Sequence, residues 1–149
     1  MIGWKRTRER VIAFADGAIG DGSGPAGVGA VLLDDDGCVL RLDNRRVPRM
    51  TNNEAEYTGL LLALELALDL KPRCEHLTVY LDSDVVVGQM MGRYAVRSQD
   101  LKPLHSRACQ LARKLKRVQL HHVPRERNQL ADALANEALQ GKHVQGPVA

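Results

Sequence analysis

Aromatic side chains are scarce in this chain of 149 residues, which has one tryptophan, one phenylalanine and three tyrosines. Aliphatic and alanine packing must therefore build the core, and stacking of bases on rings is limited as a binding mode. Cysteine is rare too. Cys38, Cys74 and Cys109 are odd in number, widely spaced and outside any Cys-x-x-Cys pattern. That excludes a disulfide framework or a thiolate zinc site and fits a reducing compartment. No apolar run is long enough to span a bilayer without a charge, and Met1 to Arg10 lacks the apolar stretch of a signal peptide. A cytoplasmic protein with no membrane association is expected. Internal repeats, low-complexity tracts and linkers are also missing, and a composition of 44% hydrophobic and 26% charged residues predicts one compact domain. None of these features implies an obligate protein partner.

Positive charge is present in clusters. The net charge is only +3, but Lys5, Arg6, Arg8 and Arg10 crowd the start, and Arg107, Arg113, Lys114, Lys116, Arg117, Arg125 and Arg127 crowd the last third. Such clusters suit a polyanionic partner, although the block from Arg113 to Arg117 reads equally well as a solvated helix face. Residues 1–9 are read as a basic N-terminal extension, 10–140 as the domain, and 141–149, with two glycines and a proline, as a flexible tail.

The pattern of elements is α/β. A strand from Val11 to Asp16 precedes a Gly-rich stretch, which lacks the Lys-Ser/Thr of a phosphate-binding loop and leads into a strand, not a helix. Strands at 28–33 and 38–46 flank the turn Asp34-Asp35-Asp36-Gly37, whose acids are read as turn residues and not as a metal site. Helix, strand, short helix, helix, strand and helix follow at 52–70, 77–81, 84–91, 100–116, 118–123 and 128–140, with Asn128 placed to cap the last. Three antiparallel strands followed by right-handed crossovers predict a five-stranded mixed sheet, strands 4 and 5 parallel, with helices packed on it.

Four carboxylates stand where apolar runs give way to a turn or a helix start: Asp16, Glu56, Asp82 and Asp132. Asp16 and Asp82 close strands at the edge where open α/β sheets bind ligands, though Asp is also common there as a turn cap. Glu56 is more informative. At about 100° per residue, Glu54, Thr58, Glu65 and Asp69 share one stripe of their helix, while Glu56 lies opposite with Gly59, Leu60, Ala63 and Ala67. A carboxylate on the buried side demands a cation or a cage of hydrogen bonds. Asp132 in a helix's first turn is favoured by the dipole alone.

Taken in order, Phe14-Ala15-Asp16-Gly17-Ala18, Thr51-Asn52-Asn53-Glu54-Ala55-Glu56-Tyr57, Leu81-Asp82-Ser83 and Asn128-Gln129-Leu130-Ala131-Asp132-Ala133-Leu134-Ala135 resemble the motifs of type 1 ribonuclease H over residues 10 to 140. The resemblance implies the ribonuclease H-like fold, with helices on both faces of the sheet. It also implies endonucleolytic hydrolysis of the RNA strand of an RNA–DNA hybrid, leaving 5′-phosphate and 3′-hydroxyl ends. By the same resemblance Asp16, Glu56, Asp82 and Asp132 would hold two divalent cations, Mg²⁺ or Mn²⁺, with Asp16 bridging them; hard cations take oxygen ligands. Asn52 and Asn53 match positions that read the RNA strand's 2′-hydroxyls. Arg49 and Thr51 match part of a pocket for a DNA-strand phosphate, while Thr51-Asn52 alone reads as a helix N-cap.

Two departures stand out. Met91 to Asp100 lacks the basic insertion and tryptophans of the best-known bacterial members, leaving Arg93, Tyr94, Arg97 and Lys102, so the chain looks like the compact, archaeal-type branch. The loop Val123 to Arg127 carries no mobile histidine, and Arg125, seven residues before Asp132, is the candidate for that role, His122 belonging to the preceding strand. Related scaffolds also serve nucleases of double-stranded RNA or branched DNA, and non-catalytic nucleic-acid-binding modules. The presence of all four acids counts against the last.

Overall fold

A computed structural model describes residues 7–147 of the chain. Lys5 and Arg6 of the N-terminal basic cluster lie outside the described residues, as do the last two residues of the expected tail. Strands β1 (Thr7–Ala18), β2 (Ala26–Leu33) and β3 (Val39–Val47) form an antiparallel meander. β4 (Arg73–Leu81) joins β1 in parallel, and β5 (Arg117–His122) joins β4 in parallel. β1 begins at Thr7, within the segment read as an extension.

The sheet has six strands, not the five expected, in the order β5-β4-β1-β2-β3-β6. β6 (Gln145–Gly146) comes from the segment read as a flexible tail and pairs antiparallel with β3. Fully buried Asn44 on β3 anchors that segment. Its Nδ2 donates to the carbonyls of Leu134 and Lys142, at 2.8 and 2.9 Å, and its Oδ1 accepts from the Val144 amide at 2.7 Å. His143 Nε2 lies 2.9 Å from Asp43 Oδ1 beside it.

Helix α1 (Asn52–Asp69) is rich in Leu and Ala and starts with a capping box: Thr51 accepts from the Glu54 amide and Glu54 accepts from the Thr51 amide. It lies across β1, β2 and β4. α3 (Leu101–Ala112) packs on its back, and α2 (Asp84–Met90) packs beside it. That sandwiching explains why Leu60, Leu62, Ala63, Leu64 and Ala67 are all buried although they face more than one side of the helix.

α4 (Gln129–Leu139) covers the opposite face over β1, β2 and β3. Gly27 and Gly29 make its approach possible, since a Cβ on Gly29 would come within 2.5 Å of the Leu134 Cβ. No helix among the described residues is long and apolar enough to cross a membrane.

Candidate active site

Strand register explains why the two aspartates meet. Phe14 of β1 pairs with Tyr80 of β4, so Asp16 and Asp82, each two residues further on, emerge side by side at the same end of parallel strands. Glu56 reaches them from α1. Asp16 and Glu56 are each 3% exposed and Asp82 is half-buried. One carboxylate oxygen from each of the three lies within 4.8 Å of the others.

Two glycines allow α1 so close. A Cβ on Gly17 would collide with the Ala55 carbonyl of α1, and a Cβ on Gly59 would meet the backbone of Asp16. With no side chain in the way, the Gly17 amide donates to both Asp16 Oδ1 at 2.9 Å and Glu56 Oε1 at 3.0 Å. A single backbone donor thus sets the orientation of two carboxylates.

The cluster is electrostatically unfavourable by itself. Burial, and then the hydrogen bond and charge of Glu56, the charge of Asp82 and a hydrogen bond from Asp132, raise the Asp16 carboxyl to about 10. Burial is also the largest cause for Glu56, which is raised to about 7, its hydrogen bond with Asp16 acting in the opposite sense. Asp16 Oδ2, Glu56 Oε2 and Asp82 Oδ2 are buried with no hydrogen-bond partner, an arrangement that costs free energy unless a cation meets it. This all-oxygen donor set fits a hard divalent cation.

Asp132, in the first turn of α4, is half-buried and stands outside that trio, although its hydrogen bond reaches Asp16. Asn136, one turn further on, holds it: Nδ2 donates to the Asp132 carbonyl at 2.9 Å and to Oδ1 at 3.2 Å. Asn128 is not the side-chain cap expected from its position. Its Nδ2 donates instead to the Ala15 carbonyl at 2.9 Å, tying the start of α4 to the strand residue before Asp16.

Arg125 belongs to a single 3₁₀ turn, Arg125–Arg127, and is exposed. A cleft of about 340 Å³ is lined by Gly17, Asn52, Arg125, Asp132 and Asn136 among others. A second, of about 500 Å³, is lined by Ile19, Arg49, Met50, Thr51, Asn52 and Glu54. Asn52 lines both, and Asn53 is half-buried beside it at the start of α1. His122 ends β5 and is exposed. Residues 91–100 form an exposed turn in which the Tyr94 hydroxyl donates to Asp84 Oδ2 at 2.7 Å.

Sequence reasoning passed over the parts played by Gly17, Gly59 and Asn136. A lone glycine inside a helix that otherwise favours Leu and Ala was a usable signal for Gly59, because it lowers helix stability without a packing reason. Asn136 gave none, an Asn one turn after an Asp being common on a helix surface.

A family model described as reverse transcriptase-like matches residues 14–138. The bifunctional protein Rv2228c of Mycobacterium tuberculosis is 41% identical over 131 residues, 87% of this chain and 35% of its own length. The solved N-terminal RNase H domain of that protein superposes with a TM-score of 0.84 at 40% identity, covering 89% of this chain and 95% of the domain. Ribonuclease HI of Halobacterium salinarum is 40% identical over 130 residues, 87% of this chain and 64% of its own. Its crystal structure gives a TM-score of 0.83, covering 89% of this chain and 98% of that one. LC11-RNase H1, solved in complex with an RNA/DNA hybrid, is 32% identical with a TM-score of 0.79, covering 88% of this chain and 97% of that one. The chain therefore spans about a third of the mycobacterial protein and less than two thirds of the halobacterial one.

Proposed function

This chain belongs to the ribonuclease H family, and from that premise we propose that it hydrolyses the RNA strand of RNA–DNA hybrids with the help of divalent cations. The observation that carries the reading is the group of three unpartnered, buried carboxylate oxygens on Asp16, Glu56 and Asp82 at the ends of two parallel strands and on the facing helix. A structural salt bridge would have a cation from the chain in that place.

In this reading Asp16, Glu56, Asp82 and Asp132 hold two Mg²⁺ ions, or Mn²⁺. When bound, such ions supply Lewis-acid stabilisation of the negative charge that builds on the phosphate during an in-line displacement. The chain's own residues do the rest. The Gly17 amide keeps Asp16 and Glu56 aimed at the ions, and Asn136 keeps Asp132 from turning away. Asn52 and Asn53, at the mouth of both clefts, offer amides to the 2′-hydroxyls that separate RNA from DNA. Arg49 and the Thr51 region grip a phosphate of the DNA strand. Arg125 faces the cleft with Asp132 and supplies a fixed positive charge to the scissile or product phosphate.

A single experiment tests the proposal: end-labelled RNA–DNA hybrid, duplex RNA, duplex DNA and a branched DNA are incubated with Mg²⁺ and with EDTA. Cutting of the hybrid's RNA strand only, and only with metal, is expected. Equal cutting of an all-DNA substrate would replace the reading with a resolvase-like one, and binding without any cutting would make the domain a non-catalytic module.

A further inference from the structure

The carboxylate site leaves a second surface unused. α4 packs on β1, β2 and β3, and on the β4–β5 side of the same face lies an array set by strand register. Arg10, His76 and Arg117 form one row across β1, β4 and β5. Ile12, Thr78 and Gln119 form the next, and Phe14, Tyr80 and His121 the third. Alternate residues of a strand share a face, and the intervening set, including Val11, Ala13, Leu77 and Val79, is buried in the core beneath α1.

The third row is aromatic throughout. Phe14 and Tyr80 stack with ring centroids 5.1 Å apart, and Tyr80 meets His121 at 5.7 Å. Arg10, Arg117 and His121 are exposed, and Phe14 and Tyr80 are half-buried. A cleft of about 270 Å³ opens beside Arg10, His76, Arg117 and Gln119. Another, of about 440 Å³, opens between Phe14, Tyr80, Leu33 and Val123, with Arg127 on one side and Asp34 and Asp35 of the hairpin on the other.

We propose that this face binds single-stranded nucleic acid, with bases against the Phe14–Tyr80–His121 row and phosphates on Arg10, Arg117 and Arg127. No carboxylate stands in the three rows, the nearest being Asp34 and Asp35 on the hairpin. A protein partner would be better matched by a uniformly apolar face than by one with arginines at both ends. Ring faces accept any base, and guanidinium groups match phosphate in a bidentate geometry. A sheet presenting adjacent rings takes roughly two or three nucleotides in this way.

The aromatic row also lies two residues before Asp16 and Asp82, about 7 Å along the strands. A strand held on the face would therefore continue toward the carboxylates, as the unpaired overhang of a hybrid does. That last step rests on the proposed ribonuclease activity; the binding site does not.

Binding of a fluorescein-labelled eight-residue oligothymidylate, followed by anisotropy in EDTA, tests the site apart from cleavage. The wild-type chain is expected to bind it saturably. The double variant R10E/R117E should bind at least about tenfold more weakly, with a salt slope shallower by about 0.7 for each charge lost. Tyr80→Leu, which keeps an apolar side chain but removes the ring, should weaken binding at least about fivefold. Circular dichroism melts verify that each variant is folded, and both should cut a blunt hybrid at the wild-type rate. Amide chemical shifts of wild-type protein should move along β1, β4 and β5. The proposal is overturned if wild type does not bind, if both folded variants bind like wild type, or if the shifts cluster at the carboxylates alone. It is also overturned if sedimentation shows that R10E/R117E separates a dimer, which would make the face a protein interface. Loss of hybrid cutting by wild type with oligothymidylate binding intact would instead overturn the activity and leave this site standing.

Discussion

A Cβ placed on Gly59 would stand 2.6 Å from the carbonyl oxygen of Asp16. The helix that carries Glu56 therefore rests directly on the strand that carries Asp16, and the distance between the two acids is set by the absence of one methyl group. Gly59→Ala should push α1 off β1. Although alanine is the better helix former, overpacking here should cost about 1–3 kcal/mol, more than the propensity gain of about 1 kcal/mol. Urea denaturation should show a lower midpoint, and hybrid cleavage should fall with it. An unchanged or higher midpoint would mean that the helix and strand separate freely.

The raised carboxyls make stability pH-dependent in an unusual direction. Folded Asp16 and Glu56 keep protons that the unfolded chain releases above 3.8 and 4.5, so their contribution falls as pH rises toward about 7 for Glu56 and about 10 for Asp16. In EDTA, wild type should therefore lose melting temperature relative to Asp16→Asn between about pH 5 and pH 8. At the upper pH, Mg²⁺ should restore wild type and leave Asp16→Asn unmoved, because ligand binding to the folded state alone is stabilising. Asp16→Asn and Asp82→Asn should each lower turnover by about 10²-fold or more, in line with losing a preorganised electrostatic group. A melting profile in EDTA that rises through this range for wild type relative to the variant would contradict the cluster's electrostatics.

Glu54 and Glu56 sit two residues apart with different work to do. Glu54 accepts from the Thr51 amide in the capping box, a bond that glutamine can also make, so Glu54→Gln should keep both stability and turnover. Glu56→Gln retains the bond from Gly17 but removes a charge from the cluster, and it should eliminate turnover while raising the melting temperature in EDTA. Steady-state rates and melts of the two variants side by side are the check; equal loss of rate in both would contradict the separation.

Arg125 cannot exchange protons near neutral pH, so its part in the reaction is electrostatic. Arg125→Ala should lower kcat roughly ten- to hundredfold, as expected for a lost charge-assisted hydrogen bond, and Arg125→Lys should recover only part. Wild-type kcat and KM in Arg125→Ala would show that the 3₁₀ turn plays no part, and would direct attention to His122 or Arg127.

The sequence by itself determined the order of elements, the strand-end positions of Asp16 and Asp82 and the inward phase of Glu56, because those follow from local periodicity over a few residues. It also carried the capping box at Thr51, a signal contained within four residues. Other features were decided only when distant segments met. Asn128 has the composition and position of an N-cap, yet its amide goes to the Ala15 carbonyl, 113 residues earlier in the chain. A buried backbone acceptor without a partner costs more than an exposed helix end that water can satisfy. β6 is two residues long and has no period to detect; it exists because buried Asn44 takes its hydrogen bonds from the chain just before it. The aromatic row was hidden for the same reason. Phe14, Tyr80 and His121 are scattered over more than a hundred residues, and only the parallel register of β1, β4 and β5, set by the packing of the whole sheet, brings them side by side.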